Sequence, residues 1–309
     1  MKILYVNRNP KSWLGGDVVK MFNFKKAIEK LDVEIDFSYI LNEDISDYDL
    51  IHSFGLNFEW TYQAYLKAMI HSKKLIVSSI FFPNVGNLSQ MVEIVRYASA
   101  IIVFSEKEID AIKEYLGLDD SFDDKFFIIP NGVSDIFYST NEKRDIDVLC
   151  VGSFHPRKQQ KLICEACDDL KITPHFIGTQ HDQAYYASCA NNHVIEYHGR
   201  MEQEELVDYY ARAKVVVQPS KIDPFPNTLL EGGMAGCNFV LTTTTYVPDS
   251  LPGIIMCESK NRQDIREAIE KALNLDLNTK LREYLKNKFS WETAARNTIK
   301  LYKKICIKK

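Results

Sequence analysis

Two acids and two bases stand where their types and spacing permit chemistry. Asp223 and Glu231 lie in the stretch Pro219 to Leu241, PSKIDPFPNTLLEGGMAGCNFVL, and Arg157 and Lys158 follow Ser153-Phe154-His155-Pro156. Asp223 falls in a loop. Glu231 falls in the first turn of a helix predicted over 228–235. A helix N-terminus offers unpaired N–H groups and the positive end of a dipole, which suits a phosphate or a hydroxyl-rich ligand. Arg157 and Lys158 open another predicted helix, running to about Asp168, where two cations oppose the dipole. An anionic ligand would remove that conflict. Both features also have a plainer reading. Thr228-Leu229-Leu230-Glu231 fits a capping box in which Glu231 only ties down the helix start. Arg157 and Lys158 can equally form a solvated basic turn.

These residues need a framework. The run Val215-Val216-Val217 reads as a buried strand ahead of the Asp223 loop, whose prolines stand at 219, 224 and 226. Gly236 ends the helix and Phe239-Val240-Leu241 begins another strand. The same alternation runs along the chain. Ile3 to Val6 is a first strand, followed by a loop through Trp13-Leu14-Gly15-Gly16-Asp17 and a helix over 18–31. Paired glycines let backbone approach a ligand closely, though a turn is their commoner use. GxGxxG occurs nowhere, so a dinucleotide fingerprint has no support. Strands are predicted at 34–40, 49–53, 75–79, 100–104 and 126–129, with helices at 58–70, 88–97 and 107–116 between them.

Strands separated by helices predict mostly parallel sheets covered on both faces. Ligands of such sheets bind at the carboxyl ends of the strands. This picks out His52, Ser79 and Ser105, with a backbone-bonded histidine as the plainer reading of His52. Pro130-Asn131-Gly132 is a turn signal, and the polar stretch Tyr138 to Asp145 reads as a linker. The alternation restarts at Ile146, with strands at 148–152, 175–178 and 194–198 and helices at 202–213, 265–273 and 279–285.

Composition narrows the classes. The 309 residues suffice for two domains, and 46% hydrophobic with 26% charged residues is an ordinary globular balance. A net charge of −4 gives no support to nucleic-acid binding. Seven scattered cysteines point to a reducing cytoplasm. Cys164 and Cys167 form a lone CxxC with no second ligand pair at zinc-site spacing, so they read as core residues. The N-terminus MKILYVNRNP reads as a strand and not as a signal peptide, and no apolar run is long enough for a transmembrane helix.

Taken in order, these segments resemble family four glycosyltransferases. Asp223 and Glu231 match the acids of that family's E-x7-E signature, with Asp223 one methylene shorter than the usual glutamate. Ile128-Ile129-Pro130-Asn131-Gly132-Val133 matches its IPNGVD segment, with Ser134 in place of the aspartate. Gly15-Gly16 resembles its glycine-rich first loop, and Gly178 and the Gly199-Arg200 pair resemble its strand-Gly segments. Lys158 matches the lysine of the pair that grips the diphosphate. Ser153 replaces the arginine of that pair, and Arg157 stands four residues on as its substitute. Many members carry a histidine where Phe81 stands here. Phe289-Ser290-Trp291 resembles the start of the family's terminal helix.

The resemblance implies a GT-B fold, an α/β architecture of two Rossmann-like doubly wound domains facing across a cleft. Residues 1–140 would bind the acceptor, 145–288 the nucleotide sugar, and 289–309 would return to the first domain. It implies retaining transfer from a UDP- or GDP-sugar to a hydroxyl of a glycan, lipid-linked or protein acceptor. Glu231 would hold the ribose. Asp223 with the backbone amides of the run Phe225, Pro226, Asn227, Thr228 and Leu229 would orient sugar and phosphates. Lys158 and Arg157 would neutralise the leaving diphosphate. His52, Ser79 and Phe81 would lie on the acceptor side.

No cofactor is implied beyond the donor itself, and no metal is expected. DxD strings occur at Asp47-Tyr48-Asp49 and Asp145-Ile146-Asp147, but both precede strands, at their amino ends. Mixed apolar and basic stretches at 18–26 and 300–309 leave a peripheral membrane contact open, with no uninterrupted basic cluster. The same fold would also serve a sugar-nucleotide epimerase or a binding subunit without activity of its own. A periplasmic-type sugar-binding protein would need a signal peptide.

Overall fold

A computed structural model describes residues 1–8, 16–31, 33–39, 44–141 and 143–307. The chain forms two compact units. One comprises Met1–Gly132, Tyr246–Pro248 and Trp291–Lys309, the other Val133–Thr245 and Asp249–Ser290.

In the first unit, hydrophobic strands alternate with helices. The strands are β1 (Lys2–Val6), β2 (Glu34–Ser38), β3 (Leu50–Phe54), β4 (Lys74–Ser78), β5 (Ala100–Val103) and β6 (Phe126–Ile128). The helices between them are α1 (Gly16–Ile28), α2 (Glu59–Ile70), α3 (Leu88–Tyr97) and α4 (Glu106–Leu116). The sheet order is β2-β1-β3-β4-β5-β6, and every pairing is parallel. Every residue of β3 and β5 is buried, as expected of inner strands covered on both faces. Each buried Ile or Leu side chain contributes about 1.5–3 kcal/mol to that packing.

Local signals set the helix ends. Asn87 caps α3 through the Gln90 amide, and Ser105 caps α4 through the Glu108 amide. Gly117 ends α4 with φ of 64°, a conformation that favours glycine.

The second unit restarts the pattern. Its elements are β7 (Ile146–Val151), α5 (Gln160–Leu170), β8 (His175–Ile177), α6 (Gln183–Ala190), β9 (Glu196–Tyr197), α7 (Gln203–Arg212), β10 (Ala213–Gln218), α8 (Asn227–Met234), β11 (Asn238–Thr242), β12 (Ile254–Cys257), α9 (Arg262–Leu273) and α10 (Thr279–Lys288). The sheet order is β12-β11-β10-β7-β8-β9, again wholly parallel. Read from β9, this is the doubly wound 3-2-1-4-5-6 order, with its reversal between β7 and β10.

The last helix, α11 (Trp291–Ile307), packs in the first unit. Ala295, Ile299 and Tyr302 share a core with Met21, Phe24 and Ile28. No helix among the described residues is long and apolar enough to cross a membrane.

The sequence reading missed two elements. Helix α6 buries only Cys189, so it carries no apolar stripe to read. Strand β12 is a half-buried edge strand with a single buried residue, Cys257. The helix expected to open at Arg157 starts later. Pro156–Lys158 forms a short 3-10 turn, Gln159 adopts φ of 55°, and α5 begins at Gln160. Cys164 and Cys167 are buried in the core of the second unit with Cys150 and Cys189. In the stretch read as a linker, Arg144 is fixed to the second unit. Its guanidinium donates to the Tyr210 and Ala213 carbonyls at 2.8 and 3.0 Å and to the Ala235 carbonyl at 2.6 Å, at the C-terminal ends of α7 and α8. A cation there complements both helix dipoles.

One buried carboxylate ties strand ends together in the first unit. Glu108 accepts from Ser79 Oγ at 2.6 Å, from the Phe81 amide at 3.1 Å and from the Phe104 amide at 2.7 Å, joining the carboxyl ends of β4 and β5. Burial raises its pKa, and these donors together with the charge of buried Lys20 oppose the rise. Glu108→Ala would orphan three donors and leave Lys20 without its countercharge. We expect a loss of about 3–5 kcal/mol in urea unfolding, with a smaller loss for Glu108→Gln. A loss below ~1 kcal/mol for Glu108→Ala would show that the carboxylate does not hold this region together.

Candidate functional site

The loops after β7 and β10 leave the sheet at its point of reversal, so they meet. Four contacts join them. The Lys221 amide donates to the Arg157 carbonyl at 2.8 Å, and the Arg157 guanidinium donates to the Ile222 carbonyl at 2.8 Å. Lys158 Nζ forms an ion pair with Asp223 Oδ2, and Gln159 Nε2 donates to the Pro219 carbonyl. Within the first loop, His155 Nδ1 accepts from the Arg157 amide at 3.0 Å, which shapes the turn that carries both cations. The Lys158 and Asp223 side chains remain 17% and 14% exposed. Three of the four predicted catalytic residues, Arg157, Lys158 and Asp223, are therefore within one constellation.

Glu231, the fourth, projects from α8. It does not cap the helix. Pro226 is the N-cap, so Glu231 lies beyond the first turn, and its carboxylate is held by another helix. Tyr210 OH donates to Oε2 at 2.9 Å and Gln203 Nε2 to Oε1 at 3.1 Å. Glu231 is 8% exposed, and burial raises its pKa against the pull of those two donors.

The start of α8 has no side-chain cap and no acid in its first turn. Thr228 Oγ1 and Ser220 Oγ are buried without a hydrogen-bond partner among the described residues. A helix N-terminus can receive an anion or a hydroxyl-rich group. Phe225 and Pro226 are buried, and the Phe225 ring stacks on Phe289 at 6.2 Å. The Leu229 amide donates to the Pro226 carbonyl at 3.0 Å, so it is spent inside the helix. Asn227 is the first helical residue.

The glycines have structural reasons of their own. Gly178 has φ of 150°, and a Cβ there would stand 2.2 Å from the Gly152 carbonyl oxygen. Its amide donates to the Gly199 carbonyl at 2.8 Å. Gly199 has φ of 74° with open space where a Cβ would be. Arg200 pairs with Glu202 at 2.7 Å on the surface. Gly16 opens α1, while Gly15 lies outside the described residues.

Three of the residues expected on the acceptor side, His52, Ser79 and Phe81, are buried. His52 is fully buried within β3 and does not offer a free nitrogen at a strand end. Its Nδ1 meets Tyr302 OH at 2.5 Å and its Nε2 meets Ser78 Oγ at 3.0 Å. Ser79 is committed to Glu108. Phe81 is fully buried, between Tyr115 and Tyr246 at centroid distances of 5.6 and 6.4 Å. These three therefore build the unit and do not face solvent. Ser105 donates to the Tyr246 carbonyl.

Sequence reasoning missed Tyr210, Gln203 and Glu108. Gln203 and Tyr210 are seven residues apart, two helical turns on one face of α7, and that spacing was the available signal.

Two parallel doubly wound sheets, with cations and acids meeting at a switch point, define a GT-B glycosyltransferase, and comparison with known proteins agrees. The model of the family "Glycosyl transferases group 1" matches residues 134–289, half of the chain, and the chain belongs to that family. Among curated protein sequences, none matches it. Solved structures with the same fold include sucrose-phosphate synthase from Thermosynechococcus elongatus, with TM-score 0.82, 15% identity and 98% of both chains covered. Anabaena HepE in complex with UDP has TM-score 0.77 and 15% identity over 98% of this chain and 100% of that one. The lipopolysaccharide outer core galactosyltransferase WaaB has TM-score 0.69 and 15% identity over the same shares.

The two glycines separate by environment. Gly178→Ala forces a backbone clash and should cost roughly 2–3 kcal/mol. Gly199→Ala meets no atom and should cost only the ~1–2 kcal/mol of a left-handed alanine. Thermal or urea unfolding of both variants measures this, and equal losses would show that the approach of Gly152 to Gly178 imposes no constraint.

Proposed function

We propose that this glycosyltransferase moves a sugar with retention of configuration from a UDP- or GDP-sugar to a hydroxyl of a glycan, lipid-linked or protein acceptor. The observation that carries the reading is the meeting of Arg157, Lys158 and Asp223 at the β7/β10 switch point, with Glu231 on the helix that follows β10. HepE has been solved with UDP and with UDP-glucose, which favours a UDP-sugar as the first donor to test. In this reading residues 145–288 bind the donor and residues 1–140 bind the acceptor. The seven free cysteines suit work in a reducing cytoplasm, with peripheral membrane contact compatible with it.

Each residue has a task. Lys158 exchanges Asp223 for the donor diphosphate, which carries more negative charge than one carboxylate. Asp223 is thereby released to accept from hydroxyls of the sugar. Arg157 adds a second positive charge beside the diphosphate. As the bond from the sugar to the diphosphate breaks, the leaving oxygen gains charge, and both cations are already in place for it. The start of α8, with Thr228, supplies further donors, and Glu231 accepts from the ribose hydroxyls.

The chain supplies these charges itself, so we propose that transfer needs no divalent metal. Three of the four DxD acids are engaged elsewhere. Asp145 pairs with Arg212 at 2.8 Å and Asp147 with Lys214 at 2.7 Å, while Asp49 accepts from the Lys2 amide at 2.7 Å.

Two measurements test the reading. Lys158→Ala should lower kcat by roughly 10²-fold, the usual cost of one transition-state donor, with a smaller change in KM. A raised KM with kcat intact would reject leaving-group stabilisation. Transfer from UDP-glucose or a GDP-hexose should proceed unchanged in EDTA. Abolition by chelator with rescue by magnesium or manganese would overturn metal independence.

A further inference from the structure

We infer that Tyr210 and Gln203 are positioning residues that set the plane of the Glu231 carboxylate, so that its remaining lone pairs face a vicinal diol of the bound nucleoside. This rests on the reading of Glu231 as the nucleoside-binding acid.

The geometry supports it in three steps. First, the two donors divide the carboxylate, with one hydrogen bond on each oxygen. A carboxylate held at both oxygens cannot rotate about its terminal torsion without breaking one of them. Second, both donors come from α7, two turns apart on one face, so a single rigid element sets both anchor points. Tyr210 is fully buried, its ring packs edge-on against Phe137 at 5.7 Å, and its backbone carbonyl is held by Arg144. Third, the carboxylate is left half used. An ionised carboxylate accepts about four hydrogen bonds, and two are filled among the described residues. The adjoining Gly232 and Gly233 pack tightly, within 2.8 Å of Phe239 and 2.5 Å of Leu285 for an added Cβ, so α8 cannot shift to re-aim the acid. Burial, followed by the neighbouring Glu231 charge, holds the Tyr210 phenol protonated and therefore a donor.

A carboxylate fixed in this way matches two adjacent hydroxyls and has nothing to gain from a nucleoside that lacks them. Discrimination between ribo- and dideoxy-nucleotides is thus the property that the two positioning residues control. A residue that merely supports the fold would alter affinity for both ligands alike.

The test is calorimetric titration of the full chain with UDP and with 2′,3′-dideoxy-UDP. The unaltered protein should prefer UDP by at least about tenfold, as expected for hydrogen bonds to a charged group. Glu231→Ala should abolish that preference. Tyr210→Phe should reduce it severalfold while leaving affinity for dideoxy-UDP unchanged, and Gln203→Met should do the same from the half-buried side. If Tyr210→Phe fails to fold, Gln203→Met alone decides. Loss of preference in Glu231→Ala with full preference in both positioning variants would overturn this inference and leave the reading of Glu231 standing. Equal weakening of both ligands in the positioning variants would also overturn it. No preference in the unaltered protein would overturn the reading of Glu231, and the inference with it.

Discussion

The reversal of winding between β7 and β10 is the constraint on which the second unit depends. Val215 pairs with Val148 and Val216 with Leu149, so the two chains run side by side and then diverge to opposite faces of the sheet. Divergence opens a crevice, and its rims are backbone whose polar groups have no ladder to satisfy them. The structure satisfies them across the crevice, by the contacts between 157–159 and 219–223. One of these requires an uncommon backbone. Gln159 is held at φ of 55°, which costs a non-glycine residue about 1 kcal/mol or more. Its side-chain Nε2 offsets that cost by donating to the Pro219 carbonyl and to Ser259 Oγ at 3.1 Å. The cations are thus set by strained and stitched backbone and not by a helix start.

That distinction changes the electrostatic argument. Cations at the first turn of a helix would repel its dipole, but Arg157 and Lys158 sit one residue short of α5, in a turn of their own. What balances Lys158 is Asp223, in a partly dry place where an ion pair is stronger than at the open surface. The shorter aspartate reaches the lysine because both loops are already drawn together. A longer side chain at 223 would have to fold back to make the same contact.

The alternation of apolar strands with amphipathic helices was legible because inner parallel strands are buried on both faces. Val215-Val216-Val217 and Ala100 to Val103 announce themselves for that reason. Elements at the margins were not legible: β12 is half exposed and α6 buries one side chain. For the site, local spacing singled out Asp223, Lys158 and Glu231 as candidates, and only the family resemblance gave them roles; the spacing misjudged what Glu231 touches. Thr228 and Glu231 have the spacing of a capping box, and the box fails because Pro226, and not Thr228, is the N-cap. The carboxylate then reaches α7, a partner far away in sequence that no local pattern encodes. His52 likewise has a partner that no local pattern encodes. Tyr302 arrives from α11, some 250 residues on, and closes over the ring.

The two units use the same solution to the problem of polar strand ends, at different depth. In the second unit Lys158 and Asp223 remain partly open, and a ligand can compete for either. In the first, Glu108 lies fully buried and collects donors from the carboxyl ends of β4 and β5, with Lys20 as a countercharge. Lys20 Nζ itself has no hydrogen-bond partner among the described residues and lies over the Phe104 ring at 4.5 Å. Burial lowers the Lys20 pKa to about 7 against the pull of the Glu108 charge, so Lys20 can relieve its burial by giving up its proton, whereas Glu108 is held by its hydrogen bonds. The carboxylate therefore stays where it is whether or not a ligand is present. Phe81 fits that logic. A histidine at this position, packed between two tyrosines beside a committed carboxylate, would need a partner of its own, whereas phenylalanine needs none. The polar groups that strand-end reasoning selected at β3 and after β4 are engaged in holding the first unit together: His52 with Tyr302 and Ser78, and Ser79 with Glu108.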